Sequence, residues 1–477
     1  MKPRSLIVSL ALALAPHLVA AQATTPCDLV QQPATRIRSD SVPGVGRVSF
    51  IGGAVLIKCP ARGITLRGDS AEMFPDHDQM IGHAVYDEPR FHVTADFLNY
   101  FPLDERVVAA ANVHARLPSG STLDGPQAEY KSARNPRIRT RPQMSAIARP
   151  TIHIVQQDSA GKPTPPMTVI ANTVLVDGDS TDAQIYAGGQ VQIDRDSVSA
   201  TADSAHIDQP KETMRLMRNP VVRGKKGKPF TLKGDLIDMY STNRKLNRVV
   251  SRANATAVSD SMTLKSDTID LRVRNDLLDH AFAWGAKRAE VVSPSQHMLA
   301  DSLDVSMPGQ RIQLVKAFRK ALAQGKPDTT RFLIEKPDTA DWLAGDTITA
   351  HFDTLAARGD TTKNPDIRQL VAKGNASSLY HMAPNDSAER RPALNHVTAR
   401  VITINFDDRK VATVTTVDSV SGIYIEPRPD STARRNGTNA AAQPNQQQTP
   451  KPGQKPAVPS SVVPLPTKPP TKPPTRP

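Results

Sequence analysis

A chain of 477 residues has room for about two or three ordinary domains, although only 38% of it is hydrophobic and 4% aromatic. Its formal charge of +13 would suit a nucleic-acid reader, yet a net seven of those charges sit in the last 50 residues and two near the start. The small remainder, the few aromatics and the absence of a reading motif argue against nucleic acid.

The first element is a leader. Residues 1–21, MKPRSLIVSLALALAPHLVAA, carry Lys2 and Arg4, then an apolar stretch, then the small residues Val19, Ala20 and Ala21. This pattern predicts a signal peptide and a protein exported to the periplasm, with outer-membrane association open. Thr25 and Pro26 before Cys27 do not make a lipoprotein cleavage context. Beyond the leader no run of about 18 apolar residues predicts a membrane helix. Residues 22–60 form an N-terminal segment with the first strands. Cys27 and Cys59 are the only cysteines, and an even count in an exported chain predicts a disulfide. Such a link would contribute about 3–4 kcal/mol in the chain-entropy model. No CxxC and no nearby His support a metal or redox role instead.

From residue 61 to 427 one phrase returns ten times. The copies are ITLRGDSAEM (64–73), HVTADFLNY (92–100), TLDGPQAEY (122–130), TVIANTVLV (168–176), SATADSAHI (199–207), FTLKGDLIDMY (230–240), MTLKSDTIDLR (262–272), HMLADSLDV (297–305), WLAGDTITA (342–350) and HVTARVITI (396–404). The anchors Asp69, Asp96, Asp203, Asp235, Asp267, Asp301 and Asp346 share their place with Pro126, Asn172 and Arg400. Repetition at a near-fixed interval is a sign of architecture rather than of a single active site.

Within each copy, apolar residues alternate with polar ones, the period of a half-buried strand. The apolar residue three before the anchor and the one two after it differ by an odd number. A plain strand would turn one of them outward, so the phase must slip at the small residue and Asp. A bulge or corner there does this, which makes the Asp series structural. A return strand follows each phrase, as in RVVAAANVHA (106–115), QIYAGGQVQI (184–193) and IRQLVAKGNA (367–376). Turns are marked by Asp177-Gly178, Lys226-Gly227 and Pro308-Gly309. Only RIQLVKAFRKALAQG (311–325) is ambiguous between strand and helix. The expected fold is all-β: an elongated, stacked β-jelly-roll or β-solenoid of about ten repeats, because no unit can bury its inner face alone. Residues 428–477 collapse to Pro, Gln, Asn, Thr and Lys with 13 prolines, which predicts a disordered basic tail.

The VTAD and LKGD strands with their GN or GG return strands resemble the OstA-like family, which includes the lipopolysaccharide-transport proteins LptA and LptC and the N-terminal domain of LptD. The resemblance covers about residues 61–427. It implies a twisted, partly open β-jelly-roll whose apolar interior carries lipopolysaccharide acyl chains, with protomers and related OstA-fold proteins joining through edge strands. The chain is about twice the length of a typical member, has no outer-membrane barrel, and its proline tail lies outside the family pattern. The residues expected to line the trough are Leu66, Met73, Val93, Leu98, Val174, Val176, Ile207, Leu232, Ile237, Met239, Leu264, Ile269, Leu271, Leu303, Val305, Leu343, Ile348, Ile402 and Ile404.

No catalytic residue, metal or cofactor is expected. Asp76-His77-Asp78 is the best local metal candidate, but three adjacent residues rarely converge on one ion. Arg223, Lys225, Lys226 and Lys228, and Arg134, Arg137, Arg139 and Arg141, are candidate phosphate contacts or solvated loops. Trp284 and Trp342 read as core or rim residues. Two rivals to glycolipid transport stand open: a structural or adhesive scaffold with a self-filled core, and a polysaccharide-processing β-helix enzyme.

Overall fold

A slip of one residue shapes every long strand. In the strand Asp341–Asp353, Leu343 is buried on one side of the anchor, and Ile348 and Ala350 on the other. Its partner Leu314–Gly325 buries Val315 and Ala317, then Ala321 and Ala323. Register runs from Phe318 opposite Thr347 to Ala321 opposite Gly345, so Arg319 and Lys320 stand against Asp346 alone. Two residues against one is a β-bulge, and it turns the strand. The extra residues are left-handed, with φ of 62° at Arg319 and 48° at Lys320. The same step recurs at Gly82-His83, Ala111-Asn112, Gly189-Gln190, Ala253-Asn254 and Gly374-Asn375. Asn and Gly tolerate this conformation best, which is why they gather in the return strands.

The computed structural model describes residues 27–427, apart from 31–34, 118, 134–138, 180–181, 260–261, 294–295, 328–339, 354–364, 383–390 and 408–409. The segment 1–21 expected as a leader, Arg134 and Arg137, and the segment 428–477 expected as a tail lie outside the described residues. The chain divides between Pro427 and Arg428.

The described residues between 27 and 427 are all-β and stacked. Among the described residues there are 28 strands and two single-turn 3₁₀ pieces, Pro60–Arg62 and Pro308–Gln310, and no α-helix. Strands pair antiparallel with their chain neighbours from Gly46–Cys59 onward to Lys410–Val417. Four long strands are interrupted at the corner and pair in two pieces: Gln143–Ile147 with Thr151–Ile154, Met167–Ile170 with Thr173–Asp177, Thr213–Met217 with Val221–Gly224, and Phe230–Lys233 with Leu236–Thr242. The ladder thus continues through each corner as two half-sheets made from the same strands. The segment at 311–325 is strand from Leu314 to Gly325. Its bend sets Ala317 and Ala321 four apart, which imitates a helical spacing in the sequence.

The inward residues of both half-sheets form one contiguous buried cluster from Ile51 to Ile404. Fully burying each Leu, Ile or Val contributes roughly 1.5–3 kcal/mol, so the stack holds itself together along its length. Cys27 and Cys59 are disulfide-bonded, tying the strand Asp28–Val30 beside Leu56–Lys58.

Candidate functional site

The interior comes first. Of the residues read as trough lining, all are buried except Met73, which is half-buried against the cluster. Ile237 and Ile269 are 0% exposed. These side chains lie against one another rather than along a wet channel.

The anchor residues sit on the outside of the corner and hold the neighbouring bend. Asp96 accepts from Asn112 Nδ2 at 2.7 Å, Asp235 from Asn254 at 3.2 Å, and Asp346 from Asn375 at 3.2 Å. Asp267 accepts the Lys287 backbone N–H at 2.8 Å. Asp69 bonds His83 Nδ1 at 2.8 Å, and this raises the imidazole above its usual pKa. Asp203 uses its backbone, donating to the Arg218 carbonyl at 3.0 Å. A Cβ on Gly82 or Gly374 would collide with Asp69 or Asp346, so the carboxylate lies directly over the glycine. In the last copy the charges change places: Arg400 stands at the anchor, and left-handed Asp418 lies 3.8 Å from it.

Opposite the corners the half-sheets end in turns, and the turns meet along a seam. Arg62 of the first half-sheet donates to the Tyr100 hydroxyl at 3.3 Å and the Pro102 carbonyl at 3.2 Å on the second. Phe91 and Tyr130 stack across it with ring centroids 3.9 Å apart, and the Tyr130 hydroxyl donates to Glu88. Arg90 pairs with Asp179 at 3.6 Å. Arg195 donates to the Ser241 hydroxyl and the Arg244 carbonyl, and Gln310 bonds the backbone of Lys228. A cavity of about 230 Å³ opens at this seam among Phe91, Leu117, Tyr130, Met144 and Val176. The closing contacts are mostly polar and can be exchanged for water, whereas the corners are continuous chain.

The sequence candidates for metal and phosphate resolve differently. His77 bonds Asp76 at 2.8 Å and its ring lies between Phe74 and Phe101, so it serves packing. Asp78 is half-buried, and its desolvation lifts its carboxyl to about 6. Among the described residues no three His, Cys, Asp or Glu side chains are placed to hold a metal. Lys225 pairs with Asp194, Lys226 with Asp196 and Asp276, and Arg141 with Asp182, so these cations already have protein partners. Arg139 donates to the Ser132 and Asp104 carbonyls.

The half-buried Asp78 carries a pH prediction. Its folded pKa lies above the unfolded 3.8, so its ionisation costs stability as pH rises from about 4 to about 6. Asp78→Asn is expected to match the parent near pH 4 and exceed it at pH 7, by at most about 3 kcal/mol. Urea midpoints of both proteins across that range check this; parallel curves would remove the assignment.

Two features were not legible as sites. Trp284 is not core: it is 41% exposed on the outer face, while Trp342 is half-buried. Asp238 and Asp270 are buried on the outer face of adjacent phrases. Asp238 accepts from Arg215 at 2.7 Å and from Arg252, and Asp270 from Arg248 at 2.9 Å and Arg272 at 3.0 Å. The signal was present in LIDMY and TIDLR, whose second Asp follows the anchor by three.

No protein-family model matches the chain, and no curated protein matches it. No helix among the described residues is long and apolar enough to cross a membrane.

Proposed function

We propose that the chain is an exported carrier of lipopolysaccharide or a similar multi-acyl glycolipid, working in the periplasm as a bridge to the outer membrane. The observation that carries this is the contiguous apolar interior, joined covalently at its corners and closed opposite them by polar contacts and the Phe91–Tyr130 stack. The resemblance of the repeated phrase to the OstA-like family supports the same reading. Opening at the seam would let acyl chains replace the cross-sheet packing. Sugars and phosphates would then project between the parted turns. Burial at roughly 25 cal/mol per Å² favours such an exchange for several acyl chains. No catalytic group and no cofactor is needed; direction would come from an energy-using partner. The last strands, Lys410–Val417 and Ser421–Ile425, are largely uncovered, with Ile423 61% exposed, and suit pairing with a further OstA-fold domain.

One observation favours a second reading. Apart from Met73 the lining is already buried without lipid, as a self-filled structural scaffold would have it. Mass spectrometry of lipid extracted from the protein purified from the periplasm of a lipopolysaccharide-making host separates the two. Stoichiometric multi-acyl glycolipid is expected. A folded, lipid-free protein would sink the carrier and leave the scaffold.

A further inference from the structure

The strand Leu277–Val292 departs from the other unbroken return strands. Its register jumps from Trp284 opposite Ser302 to Ala289 opposite Ala300, so the four residues Gly285 to Arg288 stand against Asp301 alone. The next return strand sets only Arg319 and Lys320 against one residue. The widened bulge is exposed along its length and begins directly after Trp284. Bulges that depart from the family of bends around them commonly re-aim side chains at a functional surface.

The ring of Trp284 shares the outer face with Phe318, which is 38% exposed. Ser302 lies between them in the register, so the rings sit two strands, about 10 Å, apart. Their other cross-strand neighbours are Thr268 and Thr347, both short, which leaves Trp284 and Phe318 exposed on this face. Exposed cations flank them: Lys287 and Arg288 in the bulge, Arg319 and Lys320 in the next bend. Against these stand the anchors Asp267, Asp301 and Asp346. Asp267 is engaged by the Lys287 backbone, and Arg288 donates to the Leu299 and Lys320 carbonyls, which fixes the bulge.

We propose that this outer face binds an anionic polysaccharide. Two exposed apolar rings on one face offer stacking to the apolar faces of sugar rings, and the surrounding ammonium and guanidinium groups take their carboxylates or phosphates. An acidic polypeptide would use the cations but gain little from rings that form no pocket. Successive bases of a single-stranded nucleic acid lie closer together than these two rings. Phe282 and Trp284 alternate with the buried Ala281 and Ala283, so the surface faces away from the interior and does not depend on what fills it.

The test uses the full chain and four probes: polygalacturonate, neutral dextran, polyglutamate and oligothymidylate. Polygalacturonate is expected to bind in a salt-sensitive way and best of the four. Trp284→Ala and Phe318→Ala should each weaken it about tenfold without moving the melting temperature, with Trp284→Phe restoring most of it. Lys287→Gln with Lys320→Gln should weaken it further. The proposal is overturned if polygalacturonate does not bind, if polyglutamate or oligothymidylate binds as well, or if removing either ring leaves binding unchanged. Should Trp284→Ala fold poorly, Phe318→Ala and the lysine pair still decide the matter.

Discussion

Ile269→Lys is expected to cost about 4 kcal/mol or more, enough to unfold the middle of the stack. Ile269 is wholly buried two residues past the Asp267 corner, between Ser251 and Ala283 in the ladder. A lysine there must either bury an ammonium or lose its proton, and both are expensive in an apolar interior. Its stem cannot reach water, because the corner is closed by continuous chain and the seam lies at the far end of the strand. Met73 is the contrast. It ends its strand beside a turn and is half-buried, so Met73→Lys can carry its charge out to solvent and should cost no more than about 1 kcal/mol. Urea unfolding followed by tryptophan fluorescence compares the two. A folded Ile269→Lys protein with an unchanged midpoint would mean that the interior holds water, and the packed cluster would have to be abandoned. A charge at Ile237 or Ile269 is therefore not a clean probe of lipid loading, contrary to what an open trough would allow.

The corner was legible in the sequence because its cause is local. An odd offset between Leu343 and Ile348 cannot be met by a straight strand, and the small residue with Asp at the point of slip marks where it bends. Of the bend residues facing it, only the GN and GG pairs of some return strands, as at Gly374-Asn375, left a mark; Asn112 and Asn254 follow alanine and carried none. What was not legible depends on residues far apart in the chain. Arg62 meets Tyr100 across 38 positions, and Tyr130 meets Glu88 across 42. Alternation says which face is apolar and nothing about the distance to the opposite face, so the closed seam could not be foreseen. Trp284, read as core or rim, was left unplaced for a related reason. Its position relative to the phrase makes it outward, but large apolar residues are usually inside, and the widened bulge after it leaves only small and basic letters as a trace.

The seam makes a second large effect. Tyr130→Ala is expected to cost roughly 3–5 kcal/mol, the usual range for removing a buried aromatic ring. The ring supplies the stack on Phe91, its burial pushes the phenol's pKa up, and its hydroxyl shares Glu88 with Tyr86. Removal leaves Glu88 with one phenol and joins a ring-sized void to the cavity of about 230 Å³ already present. The loosened seam should then admit an apolar probe, so fluorescent polyene fatty acid is expected to bind Tyr130→Ala and to bind the parent much less. Tyr130→Phe keeps the stack and loses only the hydrogen bond, at about 1 kcal/mol, and should admit no more probe than the parent. Thermal unfolding and probe titration on the three proteins read both effects together. Uptake that rises with the loss of the ring makes the Phe91–Tyr130 stack a latch over the interior. Lost stability without uptake makes it ordinary core, and the carrier would then need another way in.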